Sequence, residues 1–176
     1  MELRLLLIGS KRKNNMNYLI KKGKHSASGL HFGFHCNKKI YDRKVIFSKE
    51  CWWDKPRNND DYDINKLCGF SYGFHKKNSL RIGWVPDFKN KNEIILFGYW
   101  YNNSSQHFFK YITSIPVETE FDIEIVCGKE KAYFKTNKTI VSIDFKKPKC
   151  KFGYNLFPFF GGNNTSPNDM YIKITK

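Results

Sequence analysis

Short apolar runs that alternate every second residue, broken every 8–15 residues by Gly, Pro, Asn or Asp, leave this chain few folds to adopt. Leu80, Ile82 and Trp84 alternate with Arg81, Gly83 and Val85. In EIILFGYWY, Ile95, Phe97, Tyr99 and Tyr101 stand opposite Ile94, Leu96, Gly98 and Trp100. Phe121, Ile123, Ile125 and Cys127 oppose Asp122, Glu124 and Val126, and Leu30, Phe32 and Phe34 oppose His31, Gly33 and His35. The runs KAYFKT, TIVSIDF, YNLFPFF and DMYIKIT follow, punctuated by the turn-forming CGKE, TNKT, KKPKCKFG and GGNNTSPND. No 11-residue stretch carries the 3.6 period of a helix. At least eight strands at this spacing predict an antiparallel sandwich or barrel. EIILFGYWY and YNLFPFF are apolar on both faces. One face is expected to pack on a partner sheet, and the other, carrying Tyr, Trp and Arg, to line a groove.

The 176 residues suffice to bury one core, and 16 Phe, 10 Tyr and 4 Trp exclude a disordered polymer. No uncharged apolar run approaches the roughly 20 residues that cross a bilayer, so no membrane span is expected. The net charge of +15 is uneven, with 12 Lys/Arg against 2 acids in residues 1–49. Such a field attracts nucleic acid, a nucleotide or an anionic polysaccharide alike, or it merely keeps the surface solvated. The acidic stretch DKPRNNDDYDIN, residues 54–65, lacks an apolar period and is expected to be a long exposed loop. Residues 1–15 read as a basic N-terminal extension to a single β-sandwich domain, 16–176. Five scattered cysteines, Cys36, Cys51, Cys68, Cys127 and Cys150, form no C-x-x-C pair and read as free thiols. The apolar stretch Leu5–Gly9 is too short for a secretory signal, so a cytoplasmic location is expected.

The segment FDIEIVCGKEKAYFKTNKTIVSIDF resembles the paired back-sheet strands of the concanavalin A-like lectin and glucanase jelly rolls. The ending LFPFFGGNNTSPNDMYIKI, with GFHKKNSLRIGW in the middle, looks like a family of small single-domain bacterial proteins sharing that sandwich. The resemblance covers Asn17 to Ile174 and implies an all-β jelly-roll sandwich of two antiparallel sheets. It also implies a concave face that binds saccharides, with aromatics stacking on sugar faces. Some members are glycosidases, whose acid and nucleophile stand about 5 Å apart on a strand bearing E-x-D-x-x-E. The nearest approach here is Glu118, Glu120, Asp122 and Glu124, in a hairpin expected on the outer sheet, with no aromatic alternating to receive a sugar.

Other members are polysaccharide lyases, which need an Arg or Asn to neutralise a uronate and a His or Tyr to move protons. Arg81 lies opposite Leu80, Ile82 and Trp84, His75 and Asn78 precede that strand, and Tyr99 and Tyr101 fall on a neighbouring one. These five are expected to share one groove. YFKT at Tyr133 is similar to the Y-F-K-A-G strand of one alginate lyase family, but the Y-N-Q that follows there and the R-[ST]-E-x-R strand are missing.

The leading expectation is a non-catalytic module that holds a saccharide or saccharide-like anion through His75, Asn78, Arg81, Tyr99 and Tyr101. The alternatives are a nucleotide or nucleic-acid binder and a polysaccharide lyase-like enzyme. Each residue also has a structural reading: Arg81 paired with an Asp of the 60–63 cluster, Trp84 in the core. No cofactor and no metal is expected, since His31 and His35, four apart in a strand, stand about 13 Å from one another. Gly161-Gly162 with Asn163, Asn164 and Pro167 predicts a tight turn, because no lysine follows in P-loop register. Trp52 and Trp53 read as a plug at one end of the sandwich, or as an aromatic pair at a groove rim.

Overall fold

The computed structural model describes residues 16–137 and 139–176, so the expected extension at 1–15 lies outside the described residues. The strands are β1 (Met16–Ile20), β2 (Phe34–Cys36), β3 (Ile40–Phe47), β4 (Asn65–Ser71), β5 (Asn78–Pro86), β6 (Glu93–Asn102), β7 (Phe108–Pro116), β8 (Phe121–Cys127), β9 (Lys131–Thr136), β10 (Ile140–Asp144), β11 (Phe152–Leu156) and β12 (Met170–Thr175). They form two six-stranded sheets, ordered β1-β12-β3-β8-β9-β10 and β2-β11-β4-β5-β6-β7. Neighbours in both sheets run antiparallel.

Period-two alternation turns one face of each sheet inward. Tyr41, Val45 and Phe47 of β3, with Phe121, Ile123 and Ile125 of β8, meet Phe70 of β4, Leu80, Ile82 and Trp84 of β5, and Ile94 and Leu96 of β6 in one core. Trp84 is fully buried, its ring 5.1 Å from Phe47 and 6.4 Å from Phe160. Each large apolar side chain buried in this way contributes about 1.5–3 kcal/mol. Trp53 closes one end, 5.6 Å from the Phe88 ring and 5.9 Å from Phe160, while Trp52 Nε1 donates to the Asp87 carbonyl at 3.0 Å. The plug reading of the tandem tryptophans fits this packing.

Two local expectations are corrected. Of residues 30–36 only Phe34–Cys36 pairs, as an edge strand against β11, and the apolar set faces out: Leu30 is 86% and Phe32 74% exposed. The inward residue is His35, edge-on to Phe70 and Tyr72. It fits because its ladder partner is Gly153, where a Cβ would stand 2.7 Å from the imidazole Cε1. The acidic stretch is not wholly exposed either. It contains a 3-10 turn at Asn59–Tyr62, and the side chain of Asp61 is fully buried on the guanidinium of Arg57 at 2.7 Å. All five cysteines are free, and no helix among the described residues is long and apolar enough to cross a membrane.

Candidate functional site

In β5 and β6 the even-numbered side chains fill the core, so the odd-numbered ones stand on the outer face of the second sheet. The register puts Arg81 beside Tyr99 and Ser79 beside Tyr101, with Gly69 of β4 on the other side of Arg81. A Cβ at residue 69 would overlap the Leu80 carbonyl oxygen, so only glycine allows β4 to approach β5 so closely. One register irregularity, between Lys66 and Cys68, decides a further member. With Leu67 and Cys68 both buried, Lys66 rather than Leu67 comes out on the Arg81 face.

Of these residues Lys66, Arg81, Tyr99 and Tyr101 line a cleft of about 440 Å³. Lys66, Lys76 and Arg81 supply its positive charge; Tyr99, Tyr101, Phe157 and Phe159 supply aromatic wall, and His75 stands among them. Among the described residues no carboxylate lines it. A depression of similar size on the first sheet contrasts with it, because there the charges answer one another: Lys44 pairs with Glu120 at 2.9 Å and Asp122 at 3.7 Å, and Lys135 with Glu124 at 2.9 Å. Of the carboxylates considered for glycosidase chemistry, Glu120, Asp122 and Glu124 are thus engaged by lysines, away from the cleft.

Arg81 is the centre of the cleft's electrostatics. It is 8% exposed and its Nε is buried without a hydrogen-bond partner. The groups whose field favours its charge are the phenols of Tyr99, Tyr101 and Tyr154, and burial holds the guanidinium below its ordinary pKa. No aspartate of the 60–63 cluster forms an ion pair with Arg81 among the described residues, and Asp61 belongs to Arg57. Lys66 Nζ sits 5.0 Å from the Tyr99 ring centroid, and burial, with Arg81 nearby, lowers its pKa to about 8. His75 Nδ1 and the Tyr154 hydroxyl are 2.7 Å apart. Burial, then Arg81 and Lys76, lowers that imidazole to about 4, so it is neutral at pH 7. The Tyr99 and Tyr101 hydroxyls lie 3.4 Å apart, and burial first of all raises the Tyr99 phenol.

His75, Arg81, Tyr99 and Tyr101 therefore meet in one cleft. Asn78 does not, and this is a correction. It is the first residue of β5 and shares the parity of Leu80 and Ile82; its Oδ1 accepts from the Asn103 amide at 2.8 Å, beside Asn102 and Lys147. Tyr133 of YFKT lies on β9 in the other sheet. Sequence reasoning missed Lys66, which only the bulge brings outward, and Tyr154. Phe157 and Phe159 were signalled by the two-faced apolar character of YNLFPFF. Among the described residues no three His, Cys, Asp or Glu side chains converge to hold a metal.

No protein-family model matches the chain, and no curated protein is similar to it in sequence. Solved structures do match it. An alginate lyase from Alteromonas sp. 272 is 8% identical, with 92% of this chain and 85% of that one covered at a TM-score of 0.55. A family 18 polysaccharide lyase matches at 8% identity, 92% and 85% coverage and a TM-score of 0.54. A GH16 protein of a Bacteroides ovatus mixed-linkage glucan locus, in complex with an oligosaccharide product, matches at 11% identity, 93% and 79% coverage and a TM-score of 0.53. What is shared at such identities is the architecture: this chain is an all-β jelly-roll sandwich of the concanavalin A-like type.

Proposed function

We propose that this protein binds an acidic saccharide on the outer face of the second sheet, with a ligand carboxylate on Arg81 and sugar faces against Tyr99, Tyr101 and Phe159. The observation that carries the proposal is Arg81 itself, buried and, among the described residues, short of a hydrogen-bond partner at Nε and without a carboxylate along the cleft. Holding a buried cation without a counter-ion costs several kcal/mol, and a carboxylate that accepts the guanidinium fork offsets that cost. Aromatic walls suit the apolar faces of sugar rings, and the fold is one that an alginate lyase and a glucan-product complex also use. The reading is binding rather than turnover, since the R-[ST]-E-x-R strand and the Y-N-Q element of the alginate lyase pattern are missing from the chain.

One observation favours a second reading. A neutral His75 and the hydroxyls of Tyr99, Tyr101 and Tyr154 stand around the cation, the set a β-elimination needs. Arg81 would neutralise the uronate carboxylate, a base would take the proton from the adjacent carbon, and the glycosidic oxygen would leave with a proton from an acid as the double bond forms. One experiment separates the readings: calorimetric titration with uronate oligomers, followed by ultraviolet detection of unsaturated products after long incubation. Binding without product supports the module, product supports the lyase, and no binding overturns both.

A further inference from the structure

Resting on the acidic-saccharide reading, we infer that Lys66 sets the charge class of the ligand: with Arg81 it forms a two-cation clamp that selects two neighbouring negative charges over one. Both side chains face the cleft from adjacent strands, and the bulge between Lys66 and Cys68 is what puts Lys66 there. The backbone around it is cut to hold an ammonium group. A Cβ on Gly161 would come within 2.6 Å of Lys66 Nζ, so the glycine leaves that space open, and the Tyr99 ring lies on another side at 5.0 Å.

Two carboxylates close in sequence to the clamp are held elsewhere. Asp61 is bound by Arg57, and Asp87 accepts from the backbone amides of Lys89 and Asn90 and from the Asn90 side chain. Asp63 is the carboxylate whose field reaches Lys66, yet it packs against Gly162 and forms no ion pair with Lys66 among the described residues. Lys76 adds a third positive charge to the lining. A ligand with one carboxylate on Arg81 leaves Lys66 with the field of Asp63 but no ion pair among the described residues, whereas a second anionic group pairs with it directly. Consecutive uronate residues supply two charges on successive sugars, and a sugar phosphate supplies them on one group.

The test is titration calorimetry of the full chain with a monouronic acid, its dimer, the carboxyl-reduced neutral dimer and a hexose phosphate. At least one doubly charged ligand should bind about tenfold or more tightly than the monouronate, the scale of one charge-assisted contact. A stronger dimer assigns consecutive uronates, a stronger phosphate the ester. Lys66→Gln should bring that preference to within about twofold, the doubly charged ligand losing more affinity than the monouronate, and Lys66→Arg should retain the preference. The unmodified protein provides a check without substitution: raising the pH well above about 8 discharges Lys66 and should shrink the preference. Of the groups that face Lys66 there, Arg81 keeps its charge and His75 is already neutral; Tyr99, Tyr101, Lys76 and Asp63 complete the set. A preference that survives both Lys66→Gln and high pH overturns the clamp but leaves the cleft an acidic-saccharide site. Failure of every acidic ligand to bind overturns the reading beneath it.

Discussion

Arg81 is a residue whose stability cost and proposed binding role point in opposite directions. Arg81→Met removes a buried charge without a carboxylate partner, so its unfolding midpoint should hold or rise by about 2–4 °C, the equivalent of roughly 1 kcal/mol in a chain of this size. The same variant should lose at least about tenfold in affinity for a uronate oligomer. Differential scanning calorimetry and titration on one preparation read both; a variant that unfolds early shows Arg81 to be structural. His75 makes a second prediction at this scale. Its pKa of about 4 in the folded chain lies below the ordinary 6.5, so between those values the unfolded chain binds more protons. Stability should therefore be fully present above about pH 6.5 and fall as the pH drops toward 4. His75→Gln should lessen that slope in acid unfolding curves, where His35, which burial also lowers, and toward pH 4 the lowered carboxyl groups of Glu50, Asp61 and Asp87 supply the rest. An unchanged slope would show that His75 is not held neutral by its site.

At the scale of elements, β5 carries the argument because its two faces do different work. Its inward Leu80, Ile82 and Trp84 were legible from alternation alone, and so was the outward placing of Arg81 against Tyr99 and Tyr101. Trp84→Ala should cost about 3–5 kcal/mol in urea unfolding, as expected for an aromatic deleted from a closed core. A loss under about 1 kcal/mol would show that the core is not packed around it. Gly69→Ala should destabilise by about 1–3 kcal/mol and weaken ligand binding as well, because the added methyl group meets the Leu80 carbonyl next to Arg81. The elements that alternation did not reveal are β1, β3 and β7. β7 is a sheet edge with Phe108, Phe109 and Tyr111 all exposed and Ile112 its one buried side chain, too little coverage to imprint a period. Asn78 was misplaced by taking it for loop when the ladder begins there, and Lys66 was missed because a bulge inverts parity without any mark in the residue pattern.

At the scale of the whole molecule the +15 charge and the cleft make separable claims. A ligand that touches Lys66, Lys76 and Arg81 neutralises three cations, so its affinity should fall with salt at a log–log slope no steeper than about three. A much steeper slope, with oligonucleotides competing, would assign binding to the general field of the surface instead. The architecture and four of the five expected cleft residues could be reached from the sequence. The charge balance inside the cleft could not, because it depends on which carboxylates the loops hold away from it. The most direct measurement is a calorimetric titration of the protein with a uronate dimer and with the same dimer after its carboxyl groups are reduced to alcohols. The acidic dimer should bind at least about tenfold more tightly than the reduced one, and Arg81→Met should cut that difference sharply, to what Lys66 and Lys76 still supply. Equal binding of the two dimers, or a difference that is undiminished in Arg81→Met, would contradict the central claim that Arg81 awaits a ligand carboxylate.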